Sequence, residues 1–134
     1  MLRDIARVYF LEKNYNCAES ILRSCNDYYR LKLNDRDMIM VAGFGDGIQS
    51  GSVCGALLGG VAALSIMYVE EKAHESKDIK VVINMFIKSF ESRLGSILCS
   101  ELKIKYFKKD IRCFDTVSLA ADCLEEIISE YGKR

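Results

Sequence analysis

No proline interrupts this 134-residue chain, tryptophan is absent, and there is a single histidine. Without proline, only glycine and polar clusters punctuate the chain, so long helical patterns can run uninterrupted. One histidine leaves His-based acid–base catalysis and His-rich zinc chemistry without their usual side chain. An excess of either charge is lacking too. The 19 basic and 19 acidic side chains cancel, which removes the basic surplus expected of a nucleic-acid binder. Half of the residues are apolar, which excludes a disordered chain. Six cysteines are present but no CxxC, and the shortest interval, Cys17 to Cys25, is eight positions. This excludes the thioredoxin pattern, zinc ribbons, the bacterial ferredoxin run and CxxCH haem attachment. Six is also too few for a small disulfide scaffold. Arg3, Asp4 and Arg7 break the first apolar residues where a signal peptide needs an unbroken run, so the expected compartment is the cytoplasm. Thiols kept reduced there point to a metal site or to redox chemistry.

The periodicity that remains is helical. Leu2, Ile5, Ala6, Val8 and Tyr9 mark a first helix face, and Ala18, Ile21, Leu22, Cys25 and Tyr29 a second. Asn16 followed by Glu19 has the form of a capping box. Asn34 and Asp35 offer a cap for a short helix over Met38–Ala42. Ile79, Val82, Ile83, Phe86 and Phe90 form a further stripe that ends near Gly95, and Ser96 is a candidate cap for a helix through Cys99 and Leu102. Val117, Ala120, Ala121, Leu124, Ile127, Ile128 and Tyr131 make the last stripe. No alternating strand and no repeat is visible. The length suits one domain over residues 1–134, expected as an all-α bundle of five to seven helices around a central apolar, glycine-containing helix.

That central segment raises the membrane question. Residues 47–69 contain no charge over 23 positions, long enough to span a bilayer, and Gly51, Gly55 and Gly59 stand four apart. The segment starts inside a glycine-rich loop, however, and is flanked by Asp46 and by Glu70 and Glu71 rather than by lysine or arginine anchors. The amphipathic helices around it require a partner that is apolar on all sides. A buried central helix is therefore expected, not a membrane span. The glycines then mean tight helix packing, or backbone approaching a bound group. The loop before it, residues 43–51, holds four of the nine glycines, a composition that permits positive φ.

Four cysteines share a position. Cys17 follows the candidate cap Asn16, Cys54 follows the glycine loop, Cys99 lies three residues after Ser96, and Cys113 lies three after Asp110. Each falls in the first turn of an expected helix, where unpaired N–H groups and the positive dipole end favour a thiolate and lower its pKa. Cys25 and Cys123 lie mid-helix on apolar stripes and are expected in the core, where free cysteine packs as a small hydrophobe.

Asn16-Cys17-Ala18, Gly43-Phe44-Gly45-Asp46-Gly47, Cys54-Gly55-Ala56-Leu57-Leu58-Gly59, Phe90-Glu91 with Leu94-Gly95-Ser96 and Cys99, and Cys113 before Val117 and Ala120-Ala121 stand in one order along the chain. This order resembles the redox-active protein family named for its C, GCAxxG (CGAxxG), C, C cysteine pattern, over roughly residues 14–124. The module is also similar to part of split-Soret cytochromes, whose features include an iron–sulfur centre beside haem. The resemblance implies that the family's four cysteines fall on Cys17, Cys54, Cys99 and Cys113. The chain departs from it at Asp46, which interrupts what is often a longer glycine run and places a negative charge near the site. The missing haem-attachment motif means that a haem-linked role does not carry over.

Three functions follow as expectations. The first is a protein whose Cys17, Cys54, Cys99 and Cys113 bind an iron–sulfur cluster, or a thiophilic metal such as zinc, for electron transfer or redox sensing. The backbone of Gly51, Gly55 and Gly59 would approach that cofactor. The second needs no metal and cycles disulfides between pairs such as Cys17/Cys54 and Cys99/Cys113. The third is a helical binding or dimerisation module with structural cysteines. The expected partners are a redox partner that the sequence does not name and, where thiols from two chains must meet, a homodimer. His74, among Glu71, Glu75 and Lys77, is expected on the surface. Lys103, Lys105, Lys108 and Lys109 with Tyr106 and Phe107 form a local basic patch, read as a solvated loop and not as a nucleic-acid contact. Residues 43–47 lack both GxGxxG and the P-loop lysine, so nucleotide binding has no support.

Overall fold

The computed structural model describes residues 1–132, and among these the chain folds as seven α-helices with no strand. They are α1 (Leu2–Arg7), α2 (Cys17–Tyr29), α3 (Asp35–Ile39), α4 (Gly55–Tyr68), α5 (Ile79–Leu94), α6 (Cys99–Tyr106) and α7 (Phe114–Tyr131). The local signals act as their chemistry dictates. Asn16 accepts from the Glu19 N–H while Glu19 accepts from the Asn16 N–H, both at 3.0 Å, which closes the capping box of α2. Asn34 and Asp37 repeat that arrangement on α3, so this helix starts earlier than its apolar residues suggest and ends at Ile39. Gly95 ends α5 in the left-handed conformation, φ 94°, the usual role of glycine at that position.

Two details differ from the periodicity. After α1 the chain widens into a π-type turn, Val8–Glu12. The wider turn rotates the stripe, so Phe10 is buried and Val8 is exposed. Helix α6 has no side-chain cap. Ser96 instead accepts from the Leu98 N–H and donates to Glu101, which shapes the approach to the helix.

Helix α4 is the apolar centre, packed against α2, α5 and α7. It has 14 residues, because the left-handed loop ahead of it takes up the first part of the uncharged stretch. Among the described residues no helix is long and apolar enough to cross a membrane. Its glycines set the helix spacing. A Cβ on Gly59 would lie 2.5 Å from the Ala18 carbonyl oxygen, and one on Gly60 would lie 2.6 Å from the Phe86 ring. Phe86, Phe90, Leu57, Leu64, Leu124 and Ile128 fill the space between the helices and are almost fully buried; each such side chain contributes about 1.5–3 kcal/mol. Cys25 and Cys123 are completely buried in this core. His74 is exposed in a short 3-10 turn.

Candidate functional site

The four cysteines selected by position do stand at helix starts. Cys17 is the first residue of α2 and Cys99 the first of α6. Cys54 is the N-cap of α4 and Cys113 the N-cap of α7. Three backbone devices bring these starts together. First, Cys54 N–H donates to the Ile97 carbonyl at 2.8 Å and Cys99 N–H to the Ser52 carbonyl at 2.6 Å, so the segments before α4 and α6 lie side by side. Second, Lys108 and Arg112 exchange backbone hydrogen bonds of 2.9 and 2.6 Å in a tight turn that delivers Cys113. Arg112 has φ 54° and anchors that turn by donating to the Phe10 carbonyl. Third, the glycine loop winds left-handed: Asp46, Gly47, Ile48 and Gln49 all have φ between 54° and 62°. Such φ values are costly for Asp, Ile and Gln, and the loop directs the Asp46 N–H at the Cys17 sulfur.

Cys17, Cys54, Cys99 and Cys113 line one cavity of about 280 Å³. Its walls are largely apolar, from Phe10, Leu102 and Phe107, with Lys103 and Arg112 contributing positive charge. Neither Cys25 nor Cys123 reaches it. Of the glycines considered for backbone approach, only Gly55 lines the cavity. A Cβ there would lie 2.5 Å from the Cys17 sulfur and 2.8 Å from the Phe44 carbonyl oxygen. Gly59 serves helix packing against Ala18 instead. Gly51 lies outside α4, with φ 74°, near Ser100. The four-residue glycine spacing therefore does not form one ridge, because Ser52 and Cys54, between Gly51 and Gly55, are not helical.

The electrostatics differ from the helix-start expectation. Backbone N–H groups of Asp46 and Ala18 at Cys17, and of Ala56 and Leu57 at Cys54, do favour thiolates. Burial outweighs them, because a charged sulfur loses its hydration in this cavity. Cys54 is pushed up to about 12, by burial first and then by Cys17. Cys99 is pushed up to about 11, by burial first, against the pull of Lys103. Cys17 and Cys113 are raised by burial as well. The thiols are protonated at neutral pH. Cys99 Sγ lies 3.9 Å from Asp46 Oδ1, and the same carboxylate pairs with Lys103. The negative charge noted in the sequence is thus offset by a lysine one helical turn beyond Cys99.

The four thiols are soft donors. Four thiols are the ligands preferred by iron–sulfur clusters and zinc. Among the described residues, however, no three His, Cys, Asp or Glu side chains stand close enough to hold one metal ion.

A family model described as "Putative redox-active protein (C_GCAxxG_C_C)" matches residues 15–127. The chain belongs to this family. No curated protein and no solved structure matches it. In this member of the C_GCAxxG_C_C family the central motif reads Cys54-Gly55-Ala56-Leu57-Leu58-Gly59, with the cysteine ahead of the glycine. The cavity also contains residues that the sequence reading left aside. Phe10 lies before the matched segment, and its burial is legible only once the π-type turn is known. Lys103, expected in a solvated loop, instead lines the cavity from α6, four residues after Cys99, a spacing that places the two on one helix face. Arg112 directly precedes Cys113.

Proposed function

We propose that the protein is an electron-transfer or redox-sensing protein whose Cys17, Cys54, Cys99 and Cys113 thiolates hold an iron–sulfur cluster. The observation that carries this reading is that four thiols from four helix starts open on one cavity of about 280 Å³. A single zinc ion would need every sulfur about 2.3 Å from one point, and among the described residues no three such side chains stand close enough to hold one ion. A cluster of several atoms spans such a set. When bound, it supplies one-electron chemistry. The chain supplies the rest. Each Sγ would give up its proton on ligation. Helix-start N–H groups point at the sulfurs of Cys17 and Cys54 and stabilise their negative charge. Phe10 and Leu102 limit water, and Lys103 holds the Asp46 carboxylate neutralised.

Metal-free disulfide cycling is the second reading, favoured by all four being free thiols on one cavity. It too requires thiolates, the attacking form, at positions where burial raises all four thiol pKa values.

The test is anaerobic purification followed by an absorption spectrum and analysis of iron, zinc and acid-labile sulfide. The expected protein is coloured and contains iron and sulfide together. Serine at any of the four positions removes most of the colour, while Cys25→Ala and Cys123→Ala retain it. A colourless, metal-free protein with titratable thiols overturns the cluster and leaves disulfide cycling.

A further inference from the structure

We infer that residues 46–49 form a strap over the thiol cavity, latched to α6 by the Lys103–Asp46 ion pair and opened when that pair breaks. The strap controls entry to the cavity and so rests on the redox reading of its thiols. Asp46, Gly47, Ile48 and Gln49 are left-handed in succession. Only Gly47 escapes the steric penalty of that conformation, and a β-branched residue bears it worst. Ile48, with φ 58°, is 47% exposed, so burial of its side chain does not offset the strain. Backbone in this state persists only where its surroundings fix it, and such segments gather at clamps and switches.

The surroundings hold both ends of the loop firmly and its middle lightly. At the entry, Asn16 Nδ2 donates to the Ala42 carbonyl. At the exit, Cys99 N–H donates to the Ser52 carbonyl and Cys54 N–H to the Ile97 carbonyl. Between them, Gln49 and Ser50 donate back into the loop, to the Gly45 and Gly47 carbonyls. Among the described residues, Asp46 makes the side-chain bonds that tie this stretch to another element. Its carboxylate accepts from Lys103 and lies 3.9 Å from Cys99 Sγ. Asp46 and Lys103 both line the cavity, yet their side chains are 54% and 42% exposed, so the latch stands at the mouth. An ion pair this exposed is weak and is screened by salt.

Two of the four sulfurs lie under the strap. A Cβ on Gly47 would lie 2.6 Å from Cys99 Cβ, so the loop rests directly on the first residue of α6. The Asp46 N–H points at the Cys17 sulfur. Cys99 lines the cavity and is nevertheless buried. Lifting residues 46–49 about the two fixed ends uncovers Cys17 and Cys99 and leaves the helices in place. Iron and sulfide reach the buried thiols by this route, and the closed strap then shuts them off from solvent.

The test follows alkylation of the full chain by iodoacetamide, a neutral probe, with each cysteine read by peptide mass. Iron and sulfide are measured on the purified protein, and any metal is then removed with a chelator. Alkylation of Cys17 and Cys99 is expected to quicken as salt is raised. Asp46→Asn removes one charge of the latch and keeps a residue that tolerates the left-handed conformation. Lys103→Gln removes the other charge. Each should speed alkylation of Cys17 and Cys99 about threefold, abolish the salt response and leave Cys25 unchanged. Ile48→Gly relieves strain in the latched state and should slow alkylation about fivefold. Charge alone acts differently: Asp46 holds the Cys99 thiol up and Lys103 pulls it down, so without a strap the two charge variants move in opposite directions. Such opposite changes, a rate independent of salt in the unsubstituted protein, or a parallel rise at Cys25 overturns the strap. That result in protein purified with iron and sulfide sinks the strap alone. The expected pattern in protein purified without them sinks the cluster and leaves the strap.

Discussion

Gly55 shows how much a single hydrogen can decide. It follows the N-cap cysteine of α4, and a side chain there would meet the Cys17 sulfur at 2.5 Å and the Phe44 carbonyl oxygen at 2.8 Å. A backbone oxygen cannot give way as a flexible side-chain tip can, so Gly55→Ala must displace the glycine loop, the Cys17 thiol, or both. The expected cost is about 1–3 kcal/mol in a denaturant melt, with iron content reduced relative to the unsubstituted protein. An alanine variant with unchanged stability and iron content would show that the close approach is not needed. At the same scale, the thiols show that two opposing effects can be judged only from their surroundings. The helix-start field lowers a thiol pKa and burial raises it, and in this cavity burial wins.

At the scale of the element, each cysteine is delivered by a cap or a turn. Asn16 closes the capping box of α2 and also donates from Nδ2 to the Ala42 carbonyl at 2.9 Å. It therefore joins the start of α2 to the entry of the glycine loop. Asn16→Ala removes both, and a loss of about 1–2 kcal/mol is expected by thermal or urea unfolding. Asn34→Ala, which loses a similar box on α3 away from the cavity, serves as the comparison. Both should destabilise, but only the change at Asn16 should lower metal content. The capping signals and the stripes of α2, α5 and α7 were legible in sequence, because each depends on residues three or four apart. The start of α6 was legible only to within a turn, because Ser96 does not cap it and its position is set by pairing with the segment before α4.

At the scale of the whole molecule, four protonated thiols in one cavity couple folding to pH. In the unfolded chain they titrate near 9.0, and in the folded protein Cys99 is raised to about 11 and Cys54 to about 12. The folded state thus holds these protons more tightly. The stability this provides is complete below about pH 9 and is lost as pH rises through the folded values. Metal-free protein is expected to melt at lower temperature at pH 10.5 than at pH 8, and the difference should shrink in Cys54→Ala. An equal slope in the variant would assign the loss to other groups. Ligation by metal should remove this dependence, since the thiols are then deprotonated already.

The sequence by itself determined the helical class, the separation of four helix-start cysteines from two core ones, and membership of a family defined by them. These follow from short-range patterns: apolar periodicity, caps, and cysteine order. Only the tertiary structure decided that the four starts face one cavity, that Lys103 offsets Asp46, and that Gly51 lies off the ridge of Gly55 and Gly59. It also decided that burial outweighs the helix field at the sulfurs. The physical reason is common to all four. Each depends on backbone direction or on solvent exclusion between segments far apart in the chain, and neither is encoded in the spacing of neighbours.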